Sequence, residues 1–163
     1  MTHTDPDPHA DIRPQEVRVA SPNVFDAGLW FIGRIQTPWT SRIDCPRQGR
    51  HDGPVCQIEV FEPWVAALRG LEHYPTVEVL YWLDQSRRDL VVQNPASDGK
   101  TFGTFALRSP VRPNPIGTSI VKLVSIAGPV VTVRGMDCLD GTPLIDLKPD
   151  RSAFTPKASA KID

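Results

Sequence analysis

The chain has 163 residues, with 18 Lys and Arg against 19 Asp and Glu, and so carries a net charge of −1. This length allows one domain whose core needs no metal or disulfide, and 40% hydrophobic residues exclude a wholly disordered chain. Seventeen prolines and eleven glycines exclude a helical bundle, and the balanced charge excludes a global basic field that would attract nucleic acid or an anionic membrane.

The first segment, residues 1–27, predicts a flexible N-terminal arm because four prolines and several aspartates interrupt it. Within this arm, only EVRVA at residues 16–20 has a pattern that could pair with a strand. Residues 28–151 predict one folded domain, and residues 152–163 predict a C-terminal tail.

Short β-rich segments bounded by turn residues follow in chain order. They read LWFIGRI, VCQIEVF, TVEVLYWL, DLVVQ, TFGTFAL, IGTSIVKLVSI, PVVTVRGM and LIDLK. After the second segment, EPWVAALRG predicts one short helix, because Pro63 suits a first helical turn and Gly70 suits a C-terminal cap. Strands rarely alternate with helices, which disfavours a parallel sheet. The fold class that we expect is all-β: a small, mostly antiparallel β-barrel of about eight strands, because closure removes exposed strand edges.

The cysteines and histidines predict no metal or disulfide site. Cys45, Cys56 and Cys138 are odd in number and show no CxxC spacing, and the histidines lack HExxH or CxxC companions. The acidic N-terminal segment lacks the apolar core of a secretory signal, and no stretch approaches the roughly 18 apolar residues of a membrane span. We therefore expect a soluble cytoplasmic protein that binds no membrane.

The most unusual segment is RSPVRPNPIG, Arg108 to Gly117. Three prolines restrict its backbone and remove three amide donors, so the segment cannot join a strand ladder. Arg108 and Arg112 place planar guanidinium donors in this stiff loop, and such donors suit carboxylate or phosphate. Two interpretations remain open: a preorganised anion or cofactor loop, or a proline-stiffened crossover between strands.

Two further segments are candidates for binding. LDGTP, residues 139–143, predicts a hairpin turn, because Asp-Gly tolerates positive φ; alternatively, Asp140 accepts hydrogen bonds from a vicinal diol such as ribose. CPRQGRHDGP, residues 45–54, concentrates arginines with Arg42 and is either a local positive patch or a solvated basic loop. No GxG is present, so a Rossmann methyltransferase or dehydrogenase is not expected.

In this order and at these separations, the three segments resemble the TsaA-like or TrmO family of S-adenosylmethionine-dependent tRNA methyltransferases. The resemblance runs from about Leu29 to Lys148 and rests on PRQ, RPNPIG and LDGTP with its trailing DLKP. It implies a small β-barrel whose loops grip S-adenosyl-L-methionine, a homodimer, and N6-methylation of threonylcarbamoyladenosine next to the tRNA anticodon.

Position by position, the resemblance implies a cofactor site with two walls. The implied residues are Pro46, Arg47, Gln48, Asp84, Gln85, Arg108, Thr118, Leu139, Asp140, Gly141 and Thr142. Asp140 is also the candidate catalytic residue, either holding the cofactor or assisting the proton. Two positions depart from the family pattern: Asp84, where many members have His, and Asp150, where Tyr is usual.

Binding of tRNA requires local cations, because the net charge of −1 supplies no long-range attraction. The candidates outside the cofactor walls are Arg42, Arg50, Arg87 and Arg88. Two alternative functions remain open: a methyltransferase that acts on another nucleoside or a small molecule, and a barrel that binds cofactor or RNA without turnover.

Overall fold

Six of nine strands close into a barrel in the computed structural model, which describes residues 12–154. The strands are β1 Val17–Arg18, β2 Gly33–Gln36, β3 Val55–Val60, β4 Thr76–Trp82, β5 Leu90–Gln93, β6 Phe102–Gly103, β7 Ile116–Ala127, β8 Val130–Arg134 and β9 Thr142–Pro149. Short 3₁₀ segments occupy Val65–Leu68, Leu71–His73, Thr104–Ala106 and Ser152–Phe154. No helix in this described range is long and apolar enough to cross a membrane.

The strand order around the barrel is β2-β3-β8-β7-β4-β9, and the β2 to β9 pairing closes it. The β2–β3, β3–β8, β7–β8, β4–β9 and β2–β9 pairs are antiparallel. Side chains alternate between buried and accessible along β3 and β4, as a strand with one face in a core requires. The predicted mostly antiparallel barrel is confirmed.

The chain divides into two units. The small unit comprises Met1–Leu29 and Trp82–Gly117, and the barrel unit comprises Trp30–Tyr81 and Thr118–Asp163. In the barrel unit, the end of β2, the beginning of β3, the end of β8 and the beginning of β9 lie at one end of the barrel, as the pairs Ile35–Thr142 and Val55–Arg134 show. The connections that leave these strands therefore meet at that end.

The small unit has its own three-stranded sheet, with β5 between β1 and β6. Val17 in β1 pairs with Val92, so the EVRVA segment does form a strand. Arg13, shortly before β1, is also bonded to this unit, because its guanidinium donates to the carbonyl of Asn94 at 2.8 Å. The predicted boundary between arm and domain stays a prediction.

The predicted helix at residues 62–70 forms as consecutive 3₁₀ turns, Val65–Leu68 and Leu71–His73. Gly70 stands between them with φ of +91°, a left-handed conformation that favours glycine, so its predicted role in ending the first turn is confirmed.

The predicted hairpin at LDGTP does not form, because β8 and β9 are not neighbours in the barrel. β8 pairs with β3 and β7, whereas β9 pairs with β2 and β4. The Asp-Gly dipeptide supplies a positive φ at Gly141, +82°, but within a connection between non-adjacent strands. The local turn was therefore predicted correctly and the pairing of its flanking strands was not.

Candidate functional site

Two connections meet at one end of the barrel unit: residues 37–54, here called the arginine loop, and residues 135–142, here called the turn segment. The Thr37 amide donates to Asp140 Oδ1 at 3.0 Å, and the Thr37 hydroxyl donates to the Cys138 carbonyl at 2.8 Å. The Asp140 amide donates to the Trp39 carbonyl at 2.7 Å. Both predicted walls of the cofactor site, PRQ and LDGT, therefore lie on segments that are bonded to each other.

The middle of the arginine loop packs directly on the turn segment. A side chain at Gly49 would overlap the carbonyl group of Gly135, so the two backbones approach more closely than any other residue type permits. Beside this contact, the Cys45 thiol donates to the Asp137 carbonyl at 3.2 Å. The loop is thus attached at its beginning and at its middle.

The LDGT turn is held by one hydrogen bond to β2 and by one hydrogen bond within the turn. Gly141 donates its amide to the Ile35 carbonyl at 2.8 Å, and the buried Thr142 hydroxyl donates to the Leu139 carbonyl at 2.6 Å. The Asp140 side chain is exposed, and one of its oxygens accepts the Thr37 amide. The observed role of Asp140 is thus to join the two connections, while its catalytic and cofactor roles stay predictions.

The other predicted side chains of the arginine loop reach the surface. Arg47 and Gln48 are exposed, and Pro46 is half-buried. Arg42 and Arg50 are exposed too, and Arg50 pairs with Asp52 through two hydrogen bonds of 2.9 and 2.8 Å. The loop therefore presents guanidinium and amide donors at the surface, and one of its guanidiniums, that of Arg50, pairs with the exposed Asp52.

A polar cluster of Tyr81, Ser119 and Asp137 joins the barrel interior to the turn segment, and the sequence reasoning missed it. The Tyr81 hydroxyl donates to Asp137 Oδ1 at 2.6 Å, and the Ser119 hydroxyl donates to the same oxygen at 2.8 Å. The two hydroxyl oxygens lie 2.9 Å apart, and Tyr81 and Ser119 are 4% and 9% exposed. The alternation of side chains along the strands could have revealed it, because Tyr81 and Ser119 both occupy inward-facing positions of largely apolar strands.

Burial sets the protonation of the groups around this cluster. It raises the pKa of Tyr81 well above the ordinary value, and the nearby Asp137 carboxylate raises it further, so Tyr81 keeps its proton and acts as a donor. Burial likewise raises the pKa of the Cys138 and Cys45 thiols. Both cysteines are thiols at neutral pH, and neither is an activated nucleophile.

The remaining predicted cofactor residues are Thr118, on β7 of the barrel unit, and three residues of the small unit. Thr118 on β7 donates its hydroxyl to Glu78 Oε1 at 3.0 Å. Asp84 and Gln85 are exposed in a turn of the small unit, which the Ser86 amide closes on the Leu83 carbonyl at 3.1 Å. Arg108 is exposed in the same unit. Their cofactor roles stay predictions.

Arg88 holds the proline-rich loop of the small unit. Its Nε donates to the Pro113 carbonyl at 2.6 Å, and its terminal nitrogen donates to Asn114 Oδ1 at 3.0 Å. The guanidinium also lies 5.3 Å from the ring centroids of Phe25 and Trp82. The predicted tRNA contact of Arg88 stays a prediction, whereas its observed partners are internal.

The carbonyls that the prolines leave without strand partners are satisfied within the small unit. Gln93 donates to the Val111 carbonyl at 2.8 Å. Arg112 folds back on its own loop and donates to the Leu107 and Ser109 carbonyls at 2.9 and 3.1 Å. Side chains of the small unit therefore donate to the four carbonyls at residues 107, 109, 111 and 113, while the predicted cofactor role of the loop stays a prediction.

Arg87 forms a bidentate pair with Asp89, with hydrogen bonds of 2.7 and 2.9 Å. This pairing holds the pKa of Asp89 below its ordinary value. Like Arg88, Arg87 has an internal partner, and its contact with tRNA stays a prediction.

The pair between Arg87 and Asp89 is expected to make stability depend on acidity. A lowered folded-state pKa contributes stability that is complete above about pH 4, where unfolded Asp is ionised, and is lost as the pH falls through the folded value. Asp89→Asn should lower the unfolding free energy by about 1 kcal/mol at pH 7 and by progressively less towards pH 2. Denaturant titrations across this range measure the difference. Asp52→Asn, at the 70% exposed partner of Arg50, is the control and should change stability less; a constant deficit for Asp89→Asn would contradict the argument.

Within residues 12–154 no group of three or more His, Cys, Asp or Glu side chains could hold a metal ion.

Comparison with known proteins gives three matches of note. The family model described as the tRNA-methyltransferase O N-terminal domain matches residues 34–154. A relative from Rhizobium radiobacter, named "Probable S-adenosyl-L-methionine-binding protein VirR", is 56% identical over 150 residues, which cover 92% of this chain and 86% of the relative. A tRNA (adenine(37)-N6)-methyltransferase from Mus musculus is 33% identical over 126 residues, covering 72% of this chain and 29% of the mouse protein.

Among solved structures, the crystal structure of TrmO from Pseudomonas aeruginosa superposes with a TM-score of 0.67 at 30% sequence identity. The match covers 85% of this chain and 63% of that one. The chain thus spans less than two thirds of the solved protein and less than a third of the mouse protein.

Proposed function

The chain belongs to the tRNA-methyltransferase O N-terminal domain family, and from this we propose that it binds S-adenosyl-L-methionine and transfers a methyl group to tRNA. The observation that supports the proposal is that PRQ and LDGT, two of the motifs behind the family resemblance, lie on connections that are bonded to each other at one end of the barrel. Family membership confirms the resemblance drawn from those motifs.

The finer proposal is that the acceptor is N6 of threonylcarbamoyladenosine next to the anticodon. The mouse relative, named as an enzyme for adenine 37 of tRNA, supports the nucleotide and the ring position. The threonylcarbamoyl group is the expectation that the motif resemblance carried. An acceptor in the anticodon loop also suits a protein of balanced charge, because loops expose base edges that helices hide.

The residues around the turn segment suit a ribose and an amino acid carboxylate. Asp140 is exposed in a turn, where its carboxylate can accept hydrogen bonds from the two hydroxyls of a diol. Arg47 and Gln48 present charged and neutral donors on the attached loop. When bound, S-adenosyl-L-methionine supplies a methyl group activated by a sulfonium. This chain's part is to orient the accepting nitrogen, exclude water and hold both ligands.

Exposed arginines of the arginine loop are the first candidates for phosphate contacts. Arg42 and Arg50 are exposed, Arg50 beside its partner Asp52, whereas Arg87 and Arg88 are half-buried. We therefore assign tRNA contact to Arg42 and Arg50 before the other pair. A homodimer, implied by the motif resemblance, is part of the same proposal and is measured by light scattering.

The test is methylation of defined tRNA. Purified protein and S-adenosyl-L-methionine are incubated with tRNA that carries threonylcarbamoyladenosine, with the same tRNA lacking that group, and with the free nucleoside, and nucleosides are analysed by mass spectrometry. We expect a 14 Da gain on the modified tRNA alone. Equal turnover of the free nucleoside would favour the small-molecule alternative. Calorimetry should show micromolar affinity for the cofactor, and binding without any turnover would favour a non-catalytic barrel.

A further inference from the structure

Two core strands reach the turn segment through one carboxylate oxygen. Tyr81 on β4 and Ser119 on β7 both donate to Asp137 Oδ1, at 2.6 and 2.8 Å. The two hydroxyl oxygens and Asp137 Oδ1 lie within hydrogen-bond distance of one another, but the two hydroxyls have only two protons to donate among these three contacts. Because both hydroxyls donate to the carboxylate, Asp137 is held by two neighbouring strands of the barrel.

Asp137 is also the point where the turn segment meets the arginine loop. Its own carbonyl accepts the Cys45 thiol at 3.2 Å, and the next carbonyl, of Cys138, accepts the Thr37 hydroxyl at 2.8 Å. Gly135, two residues before Asp137, packs against Gly49. A shift of Asp137 would therefore be transmitted to contacts on both connections.

We propose that Tyr81, Ser119 and Asp137 are positioning residues that hold the turn segment, and through it the arginine loop, in the arrangement that receives the cofactor. The effect on cofactor binding rests on the proposed function, whereas the positioning of the two connections does not. None of the three has to touch a ligand, because the buried hydroxyls act through Asp137.

Barrel closure explains why this anchor is precise. Tyr81 lies opposite Leu144, near the beginning of β9, and the fully buried Val79 and Val121 precede and follow the two hydroxyl residues on their strands. Packed strands allow little displacement, so the donors are fixed before the turn segment docks on them. When the half-buried Asp137 carboxylate loses one such donor, it is left partly unsatisfied and moves towards another partner or water.

Hydrogen exchange gives a test that needs no cofactor. The amides of Thr37 and Asp140 bond across the two connections, and the amide of Gly141 bonds the turn segment to Ile35 in β2, so their exchange reports whether the turn segment stays docked. In Ser119→Ala and Tyr81→Phe we expect these amides to exchange about three- to tenfold faster, the range for one lost hydrogen bond. Unchanged exchange at these amides in both variants would overturn the proposal.

Thr76→Val is the matched control. Thr76 lies on β4, as Tyr81 does, and donates to Asp150 Oδ2 at 2.8 Å, so the change also removes a hydroxyl-to-carboxylate bond. We expect it to leave exchange at Thr37, Asp140 and Gly141 unaltered. Equal acceleration in the control would mean that the variants loosen the whole barrel, which contradicts a local positioning role.

Replacement of Asp137 separates positioning from charge. The side-chain oxygen of Asp137→Asn can accept both hydroxyls, whereas Asp137→Ala cannot. We therefore expect calorimetric affinity for S-adenosyl-L-methionine to fall at least about tenfold in the alanine variant and to recover largely in the asparagine variant. Equal losses would show that the charge matters, and would overturn positioning. If the unaltered protein binds no cofactor, the proposed function fails while the exchange result still decides the positioning.

Discussion

Gly49→Ala is expected to lower the unfolding free energy by about 3 kcal/mol or more and to weaken cofactor binding at least about tenfold. A methyl group at this position would overlap the carbonyl group of Gly135, and backbone on both sides leaves no flexible side chain to give way. Gly49 is not among the glycines with positive φ, so the cost comes from the close approach and not from backbone conformation. The arginine loop must then move away from the turn segment.

Denaturant unfolding and calorimetry measure the two effects, with Gly103→Ala as the matched control. Gly103 has φ of −59° and no atom within 4 Å of an added Cβ, so alanine should be nearly neutral there. Wild-type stability and affinity in Gly49→Ala would show that the two connections need not lie in contact.

The second large effect is expected at Arg88. Arg88→Ala removes two hydrogen bonds to the proline-rich loop and contacts with two aromatic rings, and should lower the unfolding free energy by about 2 to 3 kcal/mol. The Pro113 carbonyl and the Asn114 side chain then lose their donor. Amides of the loop, such as that of Val111, should exchange faster, which mass spectrometry of deuterated peptides measures.

Arg50→Ala is the control for this change. Arg50 also makes two side-chain hydrogen bonds, but its side chain is 77% exposed beside Asp52, and solvent screens such a pair. Little change in stability is expected. A loss in Arg50→Ala as large as in Arg88→Ala would assign the effect to charge alone and not to the anchoring of the loop.

The proline-rich loop illustrates how far local reasoning reaches. Three prolines in ten residues excluded a strand between Arg108 and Pro115, and none forms there. The same reasoning left the carbonyls of the loop open to a ligand, to side chains or to water. The side chains of Gln93 and Arg88 donate to two of these carbonyls. Because both donors lie about 20 residues away in the chain, no local sequence rule could predict them.

Alternation with period two located most strands of the barrel, because each strand buries one face whatever its partners are. It did not decide which strands are neighbours, and the apparent hairpin at residues 139–143 became a connection between non-adjacent strands. Nor did it assign partners to Tyr81, whose hydroxyl bonds to Asp137, 56 residues later in the chain.

Residue types and their spacing along the chain were enough to predict the all-β class, the positive φ at Gly141 and the family, because these properties do not depend on which distant groups meet. Only the folded structure shows that the connections carrying PRQ and LDGT are bonded to each other, that Gly49 must be glycine, and that Arg87 and Arg88 bond inside the small unit. Hydrogen bonds and close backbone contacts act over a few ångströms, whereas closing a barrel brings together groups far apart in the chain. Their partners therefore exist only once the strands are in register.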